Sequence, residues 1–285
     1  MEWGTVRIKK ILNNNVAISE NIDGQEIIVA GCGIAFKKKI GDELDESLIE
    51  KVFVSSDNQT KKKIQVLLDE IPIEYIRITD KIARYTNEVF KKELNDITYI
   101  GIADHIYRSV ERFITSGELV NGLLWDIKRL YKDEFEVGLY ALEVIKEELK
   151  IQMPEDEAAF IATHIINAKL KETIPNVIDI TKLINEILNI VKYNLLLDLD
   201  EETQSCYYFI NNIKFLAQKV VNNRKSKDIG EYDQVYIATT KSFPREYYCV
   251  EKITEFIERK YKYLLNIDER VLLTLQIVKI KNEKN

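Results

Sequence analysis

Along residues 5–40 apolar and polar positions alternate in short runs: "TVRIKKIL", "NVAISEN", "QEIIVA" and "GIAFKKK". A period of two puts alternate side chains on one face, so these runs are expected to be four short strands. Between the second and third, "IDG" supplies Asp-Gly, which favours the backbone of a tight hairpin turn. The pattern breaks at "SSDNQTKKK" (55–63), a polar, charged stretch read as a linker around residues 61–65. From there on the apolar spacing becomes three and four, as in "LLWDIKRLYKDEF" and "GLYALEVIKEELK". That spacing gathers apolar side chains on one stripe of a helix and charges on the other. The expected fold class is therefore α+β multidomain: a small antiparallel four-stranded β module, residues 1–60, followed by helices only.

The helical part repeats itself. "PEDEAAFIATHIINAK" (154–169) and "NIDERVLLTLQIVKIK" (266–281) both place an Asp-Glu pair before an apolar helix. "IGIADHIYRSVERF" and "YFINNIKFLAQKVV" share an apolar pattern at a similar separation. Offsets of about 110 residues imply two tandem all-α helical-bundle domains, residues 66–172 and 173–285. At offsets of 107 and 112 residues the match sets Asn212 opposite His105 and Gln276 opposite His164.

Composition narrows the chemistry. The chain has 285 residues, 46% hydrophobic and 31% charged, with a net charge of −6. A negative chain does not coat nucleic acid indiscriminately, but a local basic site remains open. Residues 1–41 carry six basic against four acidic side chains, whereas 42–60 carry one against six, so the basic surface belongs to the strands. Three separated cysteines form no metal-ligand cluster, and no signal-like apolar segment opens the chain. A cytoplasmic protein with reduced thiols is expected. No phosphate-binding glycine loop or nucleophile elbow appears, and two histidines without clustered ligands make no metal site. Neither an enzyme nor a cofactor or metal protein is expected.

Those two histidines are the chain's only ones. His105 and His164 both stand on apolar helical runs, where an imidazole is either a hydrogen-bonded core residue or a reactive group. Their replacement by side-chain amides in the repeat favours chemistry, because a packing position drifts more readily to an apolar residue. Asp104 adjoins His105, but adjacent helix residues point in different directions.

"IKKILNNNVAI" and "GQEIIVAGCGIAFKKKIGDELDESLIEKVF" resemble the RNA-binding module of the BglG/SacY family of transcriptional antiterminators. "NDITYIGIADHIYRSVERF", "NGLLWDIKRLYKDEFEVGLYAL" and "PEDEAAFIATHIINAKL" resemble the first of its two phosphotransferase-system regulation domains (PRDs). "IPNVIDITKLINEILNIVKYNLLLDLDEETQSCYYFINNIKFLAQKV" and the helices beyond resemble the second. The resemblance implies a homodimer whose β module, the co-antiterminator or CAT domain, binds a structured leader RNA, the antiterminator hairpin. It also implies that histidines of the regulation domains accept phosphate. His105 and His164 are then phosphorylation sites, with a sugar-specific permease (enzyme II) as phosphoryl donor. Asn212 and Gln276 are degenerate phosphoacceptor positions, so activation by the carrier protein HPr is expected to be lost.

RNA is read by stacking, amide hydrogen bonds and phosphate contacts. Lys10, Asn13, Asn15, Gly31, Gly33 and Phe36 are the residues expected to meet it, although an Asn run also reads simply as a turn. The amides donate and accept at base edges. The glycines let backbone approach closely, and Phe36 offers a stacking face. Cys32 stands where the family usually carries a basic residue, which implies weaker affinity or a different RNA site. A PRD-containing DNA-binding activator is the alternative, but it needs a helix-turn-helix module that the strand-like start does not supply.

Overall fold

In the computed structural model, residues 7–21, 24–54, 58–117, 119–171, 173–197, 199–200, 203–224 and 233–283 are described. Four strands form an antiparallel sheet in the order β1-β2-β3-β4: β1 Lys10–Asn13, β2 Val16–Glu20, β3 Glu26–Ala30 and β4 Lys51–Phe53. Ala17, Ile27 and Val29 pack one face against Ile34, Ala35 and Leu44. Val16, Ile18, Ile28 and Ala30, in the alternate positions of β2 and β3, are buried as well, so both faces are covered.

Two sequence expectations fail here. "GIAFKKK" is not a strand: residues 32–37 form consecutive turns, with Gly33 and Lys37 at φ +65° and +57°. Its alternation arises because Ile34 and Ala35 plug the sheet while Phe36 faces outward. The fourth strand is instead Lys51–Phe53, paired to β3 through Ile28, Val29 and Ala30. The first strand begins later than expected, at Lys10, and part of the run "TVRIKKIL" lies outside the described residues, as do Ile22 and Asp23 of the predicted turn. The β2–β3 connection does close tightly, with Gly24 N–H donating to Asn21 O at 3.0 Å. The stretch 61–65, expected as a linker, is helical: it lies within helix α1, Asn58–Glu70, whose Ile64 and Leu68 are buried. Its lysines are the solvent face of an amphipathic helix.

The chain divides into two compact units, Met1–Glu172 and Thr173–Asn285. The first holds the sheet, α1, and helices α2 Ile73–Phe90, α3 Asp96–Ser116, α4 Leu124–Leu130, α5 Lys132–Leu149 and α6 Glu155–Leu170. Within it the sheet meets the helices through polar and aromatic contacts. Val54 N–H donates to Asp96 Oδ2 at 3.1 Å, Phe53 meets Tyr99 edge-on, and Arg77 pairs with Glu50 at 2.7 Å. The second unit holds α7 Ile174–Leu195, α8 Gln204–Val221, α9 Asp233–Ser242, α10 Pro244–Tyr261 and α11 Ile267–Glu283. Each bundle buries apolar stripes at three- and four-residue spacing, such as Ile102, Ile106 and Val110 on α3 or Phe209, Ile213 and Leu216 on α8. No described helix is long and apolar enough to cross a membrane.

Candidate functional site

At one end of the sheet the β1–β2 turn is stitched to the 32–37 turns. Asn15 Oδ1 accepts from Gly33 N–H at 2.8 Å, Asn15 O accepts from Gly31 N–H at 2.9 Å, and Asn14 O accepts from Ala35 N–H at 3.0 Å. Asn15, Gly31, Gly33 and Phe36 are thereby gathered at one edge. Phe36 is 55% exposed, with the Lys37 ammonium 5.2 Å from its ring centre. This is the pairing of flat face and cation that unstacked bases and phosphates meet well. With its oxygen committed to Gly33, Asn15 keeps its NH₂ as the donating group. Asn13 is spent at both ends: Oδ1 accepts from Asn15 N–H at 2.8 Å and Nδ2 donates to Leu68 O of α1 at 3.1 Å. Gly31 is required for a reason internal to the fold, since a Cβ there would lie 1.9 Å from Leu48 O. Lys10 opens β1 as an exposed side chain. Beside Cys32, whose N–H reaches Glu50 Oε1 at 3.3 Å, stands the Arg77 guanidinium of α2, bound to the same oxygen.

The two histidines, on α3 and α6, meet. Their ring centres are 5.0 Å apart, and Phe160 lies 5.6 Å from His105. His105 Nε2 is 2.9 Å from Glu157 Oε1; the His105 side chain is 17% exposed and that of Glu157 is 0%. The other carboxylate oxygen accepts from Ser109 Oγ at 2.6 Å. Nε2 and Oε1 are close without being aligned, so neither has a formed hydrogen bond among the described residues. Burial, with the neighbouring His105 second, pushes the His164 imidazole down to about 3. It is therefore neutral at pH 7, with a nitrogen lone pair to offer. Asp104 turns away to Arg108 Nε at 2.8 Å, and the carboxylate beside His105 is that of Glu157.

Why Glu157 is available follows from how α6 begins. A glutamate at the third helical position commonly folds back onto the N–H of the capping residue. The cap of α6 is Pro154, which has no N–H to satisfy. In the second unit Glu269 does fold back: Asn266 N–H donates to Glu269 Oε2 at 3.1 Å, while Glu269 N–H donates to Asn266 Oδ1 at 2.8 Å. There the places of the histidines hold Asn212 and Gln276, and Asn212 Nδ2 donates to Gln276 Oε1 at 2.9 Å.

Glu157 and Ser109 escaped the sequence reading. The signal for Glu157 was the repeated Asp-Glu pair in the first turns of α6 and α11; the preceding Pro154 and Asn266 distinguish the two arrangements. Among the described residues no group of His, Cys, Asp and Glu is placed to hold a metal. Cys32 is exposed, while Cys206 and Cys249 are buried.

Residues 6–62 match the family model described as CAT RNA binding domain, and residues 80–168 and 185–280 each match that of the PRD domain. Transcription antiterminator LicT of Bacillus subtilis (strain 168) is 41% identical, with 96% of this chain and 99% of that protein aligned. The Beta-glucoside operon antiterminator of Dickeya chrysanthemi is 36% identical over 98% of both. Among solved structures, the crystal structure of GlcT CAT-PRDI superimposes with a TM-score of 0.51 at 30% identity, covering 58% of this chain and 98% of that one.

Proposed function

This chain belongs to the family of transcription antiterminators that join a CAT RNA-binding domain to PRD domains, and from that premise we propose that phosphoryl transfer to His105 and His164 switches its hold on RNA. Its relatives are RNA-binding regulators of transcription, not enzymes. In this reading the β module of a homodimer grips a nascent leader-RNA hairpin that overlaps a terminator, and transcription continues. Asn15, Gly33 and Phe36, with Lys10 alongside, form the surface that meets the RNA, and Asn13 braces it from within.

When the inducing sugar is scarce, its permease phosphorylates His105 and His164, dimerisation fails and the terminator forms. The name of the Dickeya relative makes a β-glucoside permease the first donor to test. A neutral imidazole attacks phosphorus readily and forms a labile N–P bond, suited to reversible transfer. Each phosphoryl group adds about −1.5 to −2 charges, enough to rearrange a packed helical surface. An amide nitrogen has its lone pair delocalised into the carbonyl, so Asn212 and Gln276 accept nothing and HPr has no target in residues 173–285.

The observation that carries this reading is the contrast between the two units: two histidines 5.0 Å apart beside a buried carboxylate in the first, and an amide pair bonded to itself in the second. Aspartates at both positions, His105→Asp with His164→Asp, test it by standing in for part of the phosphate charge. Sedimentation should show a shift toward monomer, and leader-RNA affinity should fall about tenfold or more. An unaltered dimer with native RNA affinity would sink the proposal.

A further inference from the structure

The two nitrogens of an imidazole are distinct, and the partner of one decides what the other can do. At His105 the neighbouring polar group lies on the Nε2 side, close but not aligned for a hydrogen bond. Glu157 Oε1 lies 2.9 Å away on a fully buried carboxylate, whose second oxygen is tied to the buried Ser109 hydroxyl at 2.6 Å. Arg112 Nη2 is 3.5 Å from the same hydroxyl. A carboxylate held in this way takes a proton-bearing nitrogen as its neighbour, which sets the neutral ring as Nε2–H and leaves the lone pair on Nδ1.

We infer that the phosphoryl group is carried by Nδ1 of His105, with Glu157 as the positioning residue that selects this nitrogen. The inference rests on the reading of His105 as a phosphoacceptor. The transfer balances without a proton leaving the ring. The Nδ1 lone pair forms the new N–P bond while the bond between phosphorus and the donor's phosphorylated side chain breaks, and that electron pair departs with the donor. His105 keeps its Nε2–H, the ring becomes an imidazolium, and its positive charge stands against Glu157. Return of the phosphoryl group reverses each step. Attachment at Nε2 would instead set a phosphoryl of about −1.5 to −2 charges against a buried carboxylate, where like charges repel strongly. The short Glu157–Ser109 bond also keeps the carboxylate from swinging aside to make room.

The test uses the full chain carrying His164→Ala, labelled with ¹⁵N in histidine, so that His105 alone reports. It is phosphorylated from phosphoenolpyruvate through the general phosphotransferase proteins and a β-glucoside permease. Long-range ¹H–¹⁵N correlation then identifies the phosphorylated nitrogen. Phosphorus on Nδ1, with Nε2 carrying the proton, is the expected result; phosphorus on Nε2 overturns the inference while leaving His105 an acceptor. No phosphoryl group on His105 overturns the acceptor reading and this inference together. Before phosphorylation the same spectrum should show the Nε2–H tautomer, and finding Nδ1–H instead refutes the selection. Glu157→Gln should mix or invert the tautomers and slow labelling of His105 about tenfold or more. A native tautomer and native labelling rate in that variant would mean that Glu157 selects nothing.

Discussion

The two helical halves keep a similar scaffold and differ at one cluster of polar side chains. Helices α5 and α10 enter alike, through Tyr131 (φ −133°, ψ 57°) and Phe243 (φ −130°, ψ 56°), and end alike on left-handed lysines, Lys150 and Lys262. Each is tied to the last helix of its half by a lysine–glutamate ion pair at the matching place, Lys169–Glu134 at 2.5 Å and Lys281–Glu246 at 2.6 Å, and α10 adds Arg270–Glu251 at 3.2 Å. In the second half the amides bond to each other and Glu269 caps its own helix. In the first half the histidine nitrogen and carboxylate oxygen are buried close together without a formed hydrogen bond. Leaving buried polar groups without a formed hydrogen bond costs stability. Where the histidines are gone, the polar groups have settled into ordinary hydrogen bonds.

The sharpest way to break this comparison is to label both halves. Phosphoenolpyruvate, the general phosphotransferase proteins and the permease should deliver acid-labile phosphate to residues 66–172 alone, and His105→Ala with His164→Ala should abolish it. Any label in 173–285 would end the contrast.

Next in size is a packing difference. Gly138 of α5 approaches α6 so closely that a Cβ would lie 2.2 Å from Ala158 O, whereas α10 carries the buried Val250 at the matching place. Gly138→Val should destabilise the first unit by roughly 3 kcal/mol or more, through overpacking against backbone. A thermal melt within a degree or two of the native one would show that the halves pack interchangeably.

The proposed RNA surface belongs to the β module and stands outside the comparison of the two halves. Asn15→Ala and Phe36→Ala should each weaken leader-RNA binding, the latter by about 1–3 kcal/mol for a lost stacking platform. Changes in the acidic stretch 42–50 should do less. Affinity should also fall as salt rises, because phosphate contacts release counterions. Equal losses from both regions would remove the assigned surface.

The fourth test is titration. The His164 imidazole is pushed down to about 3 in the fold, against about 6.5 in an unfolded chain. Between those values the unfolded chain binds a proton that the folded one refuses. The stability this gives is full above pH 6.5 and drains as pH falls toward 3, at up to about 1.4 kcal/mol per pH unit. His164→Gln, which copies Gln276, should lack that slope. Urea melts from pH 7 to pH 4 that run parallel for the two proteins would refute it.

The smallest expected effect exchanges the helix caps. Pro154→Asn should draw Glu157 into a capping box like that of Glu269, raising stability by about 1 kcal/mol or less. His105 labelling should slow at the same time. Stabilisation with undiminished labelling would show that capping and orienting do not compete.

Much of this was legible in the chain. Helical periodicity, the tandem repeat, the two histidines and the amides opposite them are local patterns, set by spacings of three and four residues or by residue identity. So was the exposed Phe36 beside Lys37. Strand assignment failed at "GIAFKKK" because alternation also arises when a turn lowers Ile34 and Ala35 into a sheet and leaves Phe36 outside. The helical state of the stretch 61–65 was hidden because the polar face of Lys61, Lys62 and Lys63 dominates the local pattern, whereas Ile64 and Leu68 find their burial only in the fold. Tertiary structure alone decided that α3 and α6 lie side by side, which joins Glu157 to His105 and His105 to His164. It also decided that Asn15 holds Gly33, and that β4 closes the sheet. Periodicity shows which face of an element is buried but not which element covers it. That choice belongs to packing, here to Gly138 admitting α6 against α5 and to Pro154 leaving a carboxylate with no helix end to cap.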